Sequence, residues 1–198
     1  MEQEQQIWSL FRAGDRDALA GIADLHYRSL LRYGMKFGLD EAEVQDCIQD
    51  LFLDLWQNRG RLGDTASVKN YLLKSVRNRI IDCIRHKQRY GTENDLSWQI
   101  NFSDFHTVEK EWIEKEHLSA VGRQLHQYME ELPKREKEAL YLRYYENLSL
   151  PEIAEVMGVN RQSVANFLQK ALHKLRSRWA LPLIALFNFL SFFSGNRV

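Results

Sequence analysis

Apolar residues recur at three- and four-residue spacing along most of the chain, and the strict alternation that marks a half-buried strand is scarce. With only three prolines to interrupt it, this pattern predicts an all-α protein. Ile7, Leu10 and Phe11 predict a first amphipathic helix that stops near Gly14. Asp15 is placed to cap a second, whose apolar positions Leu19, Ile22, Leu25, Leu30, Leu31 and Met35 continue to about Phe37. A third helix is expected over about 40–58, with Val44, Ile48, Leu51 and Leu55 as its core stripe. After a polar, Gly-containing loop, a fourth covers about 68–87 and turns Leu73, Val76, Ile80 and Ile84 inward.

Periodicity is lost over 88–106, where Gly, Asn, Ser and Asp predict a flexible linker, although Trp98, Phe102 and Phe105 could form a docking segment within it. It resumes over about 107–132 through Ile113, Leu118, Val121, Leu125, Tyr128 and Met129, and Pro133 marks the next boundary. A helix carrying Leu140, Leu142 and Tyr144 then leads to a turn at Glu146 and Asn147. The organisation expected is two small helical domains, 1–90 and 107–180, joined by a linker over 91–106 and followed by a tail over 181–198. The tail contains LPLIALFNFLSFF, which as a helix would span about 20 Å against a hydrocarbon core of about 30 Å. A transmembrane helix is therefore not expected; packing on its own chain, a protein partner and a membrane surface all stay open.

The second domain ends in a more specific pattern, SLPEIAEVMGVNRQSVANFLQKALHKLR. Ser149, Pro151 and Glu152 start a short helix as hydroxyl cap, first-turn proline and returning carboxylate. Ile153, Val156 and Met157 give it an apolar stripe, Ala154 allows a close crossing, and Gly158 permits the turn. Asn160 can cap the helix that follows. On that helix Val164, Leu168, Ala171 and Leu175 fall on one side, and Gln162, Asn166, Gln169 and His173 on the other with Lys170 beside them. Side-chain amides can read base edges through paired donors and acceptors, and flanking cations can hold phosphates. A helix-turn-helix is the direct reading; a helical hairpin with a solvated face is the plain one.

Two other faces are unusual. Opposite the core stripe of the third helix lie Asp46, Gln49, Asp50, Leu53 and Gln57, with Phe52 and Trp56 at the border. Carboxylates mixed with an apolar side chain suit a basic and apolar protein partner, or else an acidic face whose aromatics turn inward. On the fourth helix Tyr71, Lys74, Ser75, Asn78, Asp82 and Arg85 collect opposite the core, flanked by Arg77 and Arg79. An aromatic ring among cations suits stacking on an unpaired base, and a basic solvated helix is the alternative.

Charge sharpens this picture. The net charge is zero, with 27 basic and 27 acidic residues, but it is striped. Residues 38–58 carry six carboxylates and no Lys or Arg, 59–90 carry nine basic residues against two acids, 91–119 return to acid, and 156–180 hold five basic residues and no acid. Cys47 and Cys83 are too few and too far apart in sequence for a disulfide framework or a zinc site, so buried, reduced thiols are expected. The polar, acidic opening lacks the basic start and apolar core of a signal peptide, and the cytoplasm is the expected location.

Two segments in this order resemble the small, two-domain bacterial sigma factors of the extracytoplasmic-function group. The first is EVQDCIQDLFLDLW followed by VKNYLLKSVRNRIIDCIR; the second is LPKREKEALYLRYYENLSLPEIAEVMGVNRQSVANFLQKALHKLR, and together the likeness covers about 5–90 and 110–178. The resemblance implies a subunit that binds core RNA polymerase, recognises promoter DNA at two elements and helps open the duplex. It implies no enzyme activity, no cofactor or metal and no small-molecule substrate, and leaves an anti-sigma antagonist open. It assigns Asp46, Gln49, Asp50, Leu53 and Trp56 to docking on a coiled coil of the polymerase's largest subunit. It assigns Tyr71, Lys74, Asn78 and Arg85 to the -10 element, and Arg161, Gln162, Ser163, Asn166, Gln169 and Lys170 to the -35 element. Ala165 and Phe167 depart from the family pattern, standing where many members have Lys or Arg. Two rival readings are a stand-alone helix-turn-helix regulator and a metalloenzyme built on Asp46, Asp50 and Asp54.

Overall fold

The computed structural model describes residues 2–90, 102 and 127–178, and the chain divides into two units, 1–100 and 101–198. Among the described residues every regular element is helical, and no helix is long and apolar enough to cross a membrane. The tail, most of the linker and most of the helix expected over 107–132 lie outside the described residues.

Four helices build the first unit: α1 (Glu2–Arg12), α2 (Arg16–Met35), α3 (Glu41–Asn58) and α4 (Val68–Tyr90), with a 3-10 turn at Arg59–Arg61. Their starts follow the sequence signals. The Asp15 carboxylate accepts from the N–H groups of Asp17 and Ala18 at 2.8 and 3.1 Å. Asp40 and Glu43 form a reciprocal capping box, Asp40 Oδ1 accepting from the Glu43 N–H at 2.8 Å and Glu43 Oε2 from the Asp40 N–H at 3.3 Å. Val44, Ile48, Leu51 and Leu55 of α3 are buried, as are Leu72, Leu73, Val76 and Ile80 of α4 and Ile22, Leu30 and Tyr33 of α2, and the three helices pack on one another. Gly34 sits where α2 comes closest to its neighbours, and a Cβ there would run into Val44 and lie 3.0 Å from Ile80.

Some positions correct the periodicity. Leu10 and Leu25, expected in the core stripes of α1 and α2, are 47% and 60% exposed, whereas Trp8 is buried and donates its indole N–H to Gly63 O at 3.1 Å. Trp8 wins the inward position because its ring packs on Phe11 and Tyr71, with centroids 5.1 and 5.5 Å away. Ile84 is only half-buried. Arg77, read as flanking a basic surface, is buried, as are Asn70, Lys36 and His26.

In the second unit α5 (Lys134–Leu140) runs into a π-helical turn at Tyr141–Tyr145, followed by α6 (Leu150–Met157) and α7 (Arg161–Arg178). The Glu146 N–H donates to Tyr141 O at 3.2 Å, and the Tyr141 hydroxyl lies 3.1 Å from the buried Glu146 carboxylate. Asn147 then takes φ +57°, and Arg143 donates to Leu148 O at 2.8 Å, so the chain turns sharply into α6. Phe102, from the expected linker, is buried edge-on against Tyr141 at 5.9 Å.

Candidate functional site

Each candidate face is held by an element whose opposite side is core. On α3, burial of Val44, Ile48, Leu51 and Leu55 turns Asp46, Gln49 and Asp50 to solvent. Leu53 joins them, 58% exposed among these polar groups. Trp56 differs: it is half-buried, with the Arg59 guanidinium 4.2 Å and the Arg16 guanidinium 5.8 Å from its ring centroid. Arg59 also donates to Trp56 O at 2.6 Å, so the ring at the edge of the face is held between cations. Asp54, a member of the acidic run, forms an ion pair with Arg79 of α4.

The α4 candidates are less uniform. Asn78 and Arg85 are exposed, and Arg85 pairs with Asp82 at 3.2 Å one turn away. Lys74 is half-buried, and Tyr71 is half-buried with its ring against Trp8. Because Arg77 is interior and Arg79 and Lys87 pair with Asp54 and Glu43 of α3, much of the basic charge of α4 is turned toward its own domain. Sequence periodicity alone does not distinguish a cation facing solvent from one crossing to a neighbouring helix.

The helix-turn-helix is built as its caps require. Glu152 Oε2 accepts from the Ser149 N–H and hydroxyl at 2.7 and 2.6 Å, and Pro151 stands in the first turn of α6. Gly158 closes that helix at φ +63°, a conformation costly for a residue with a Cβ. Asn160 Oδ1 accepts from the Ser163 N–H at 2.7 Å and starts α7. Val164, Leu168, Ala171 and Leu175 are buried, as are Ile153, Val156 and Met157 of α6, and α7 packs on both α5 and α6. That leaves Arg161, Gln162, Asn166, Gln169 and Lys170 exposed together, with Ser163 half-buried beside them. Gln162 Nε2 donates to Asn166 Oδ1 at 3.1 Å, so two of the amides are aligned before any ligand arrives.

The scaffold beneath α7 was not legible as such in the sequence. Lys174 reaches the buried Glu136 of α5 at 3.0 Å, and Lys137 reaches Glu130 at 2.7 Å. Buried charges are seldom left without partners; the Lys174–Glu136 pair ties α7 to α5, and the Lys137–Glu130 pair ties α5 to the segment before Pro133. Nothing in the helical pattern of 134–140 separates these anchors from solvated surface charges.

Family models match both units. Sigma-70 region 2 matches residues 22–90, and Sigma-70, region 4 matches residues 122–175. The chain belongs to the RNA polymerase sigma factors of the extracytoplasmic-function type. Such a factor directs transcription initiation, and sigma factors are not catalytic enzymes. Among its relatives is the ECF RNA polymerase sigma factor SigM of Bacillus subtilis (strain 168), 24% identical over 157 residues, covering 79% of this chain and 91% of that protein. The factor shares its fold with CnrH, solved in complex with the cytosolic domain of CnrY, at TM-score 0.60 and 17% identity over 88% of this chain and 95% of that one. It also shares its fold with the sigma factor RpoE of Bartonella quintana, solved with the anti-sigma factor NepR, at TM-score 0.53 and 14% identity over 78% and 92%.

Proposed function

We propose that the factor divides its work between three faces, each carried by one helix. Asp46, Gln49, Asp50 and Leu53 on α3, bordered by Trp56, dock on core RNA polymerase. Exposed carboxylates around one exposed leucine suit a basic partner that also offers an apolar contact. On α4, Tyr71, Lys74, Asn78 and Arg85 engage the -10 element, where an unstacked base meets aromatic and cationic groups. On α7, Arg161, Gln162, Ser163, Asn166, Gln169 and Lys170 engage the -35 element through the major groove.

The observation that carries this reading is the separation of chemistries. An acidic, leucine-bearing face lies in the region 2 match, and an amide-rich face backed by a helix-turn-helix lies in the region 4 match. The domains are taken as 1–90 and 107–180 with 91–106 between them. The acidic 91–119 stretch suits basic channel walls of polymerase, the factor works in the cytoplasm, and it performs no catalysis of its own. An anti-sigma factor is a fitting antagonist, since RpoE was solved bound to NepR.

Affinity capture of the tagged full chain from bacterial lysate tests the docking assignment. Co-purification of core polymerase subunits is expected. Tight binding to one specific duplex by the isolated protein, with no polymerase recovered, would instead mark a stand-alone regulator.

A further inference from the structure

The two cysteines, distant in sequence, are brought together where α3 packs on α4. Ion pairs set the register of these antiparallel helices: Glu43 meets Lys87 near one end of the contact, and Asp54 meets Arg79 further along. Arg79, Cys83 and Lys87 follow one another at one-turn spacing, so they share a face of α4. Both cations on that face reach α3, and Cys83 stands between them. Cys47 lies one turn in from Glu43, as Cys83 lies one turn in from Lys87. The Cys47 thiol is buried, and Cys83 is close enough to act on it electrostatically. Packed helices have axes about 8–10 Å apart with Cα atoms about 2.3 Å from each axis, so directly facing Cα atoms lie about 3.4–5.4 Å apart, a range that overlaps the roughly 4.4–6.8 Å a disulfide spans.

We propose that Cys47 and Cys83 are an oxidation site, a dithiol pair that takes a peroxide as its oxidant and closes to an intramolecular disulfide joining α3 to α4. Cys83 is half-exposed and is the sulfur a peroxide reaches; Cys47 is shielded. The Cys83 thiol attacks the peroxide, becoming a sulfenic acid as the O–O bond breaks and the alcohol or water leaves. The Cys47 sulfur then attacks the sulfenic sulfur, forming the S–S bond and releasing water. Both thiols are oxidised, the peroxide is reduced, and an intracellular reductant reverses the bond by thiol exchange. Burial, then the neighbouring Cys83, pushes the Cys47 thiol up to about 11, so the second step is slow at neutral pH and quickens with alkalinity.

A consequence rests on the assignments proposed above: the bond ties the polymerase-docking helix to the -10 helix. The bond itself is read without polymerase or DNA, so its failure and theirs are separable. The full chain is treated with hydrogen peroxide at pH 8, the remaining thiols are alkylated under denaturing conditions, and intact and peptide masses are taken. Expected is a monomer lighter by two hydrogen atoms, unalkylated at both cysteines and carrying one cross-linked peptide pair, all reversed by dithiothreitol. Cys83→Ser, at a half-exposed position, should lose the cross-link while keeping the helical circular dichroism signal. Sulfinic acid at Cys83 with Cys47 still alkylated, or a disulfide formed only between chains, would overturn the proposal.

Discussion

Gln162 and Asn166 already bond to each other at 3.1 Å on the exposed face of α7, so they are expected to read DNA as a pair. Gln162→Ala should weaken promoter use at particular -35 positions by about 1–3 kcal/mol for a lost bidentate contact. Adding Asn166→Ala should cost less than it does alone, because the two residues are coupled. Transcription from single-substituted promoters measures both, and a uniform loss across all sequences would make Gln162 a positioning residue. On α3, Asp50→Arg reverses charge at an exposed site with no packing role, so the melting temperature should stay within a few degrees while polymerase capture falls by about tenfold or more. Unchanged capture would remove Asp50 from the docking face. Cys47 supplies a pH signature. Its thiol is raised from 9.0 to about 11 by burial and by Cys83, so the folded state keeps a proton that the unfolded chain releases above pH 9. Stability from this group is intact below pH 9 and falls as pH rises toward 11, by up to about 1.4 kcal/mol per pH unit. Denaturant titrations should show a steeper alkaline decline for the wild type than for Cys47→Ala.

Helix boundaries were the most legible feature in the sequence, because caps are local. Asp15, Ser149 with Glu152, and Asn160 all cap the helices their spacing predicts, Asp40 caps the helix expected to begin there, and Gly158 takes the left-handed turn expected of it. What local pattern could not reveal is which of two plausible side chains a neighbouring helix selects. Trp8 is buried while Leu10 is exposed, and Arg77 is interior on a helix whose Arg85 is exposed and whose Arg79 and Lys87 cross to α3. The α5 anchors Glu136 and Lys137 are hidden for the same reason, since their partners Lys174 and Glu130 are not their helical neighbours. Element packing has its own test at Gly34, where α2 approaches α3 and α4. Gly34→Ala inserts a methyl group against Val44 and Ile80 and should destabilise the first unit by about 1–3 kcal/mol, overriding any gain in helix propensity. An unchanged urea midpoint would mean that the contact relaxes freely.

At the scale of the whole molecule, a net charge of zero conceals a division of labour. The acidic stretch is spent on α3, the basic stretch on α4 is partly neutralised by α3, and α7 presents its amides beside Arg161 and Lys170. Phosphate contacts dominate DNA affinity, so a recognition face made chiefly of amides is suited to selecting a site while a larger partner supplies grip. That partnership is the central claim, and reconstituted transcription tests it most directly. Core RNA polymerase is given a library of duplexes with randomised -35 and -10 elements, with and without the full chain, and the transcripts are sequenced. Transcripts should start downstream of one paired motif only when both proteins are present, and the -35 half of that motif should change with Gln162→Ala. Enrichment of a duplex motif by the protein alone, with no gain in initiation when polymerase is added, would contradict it.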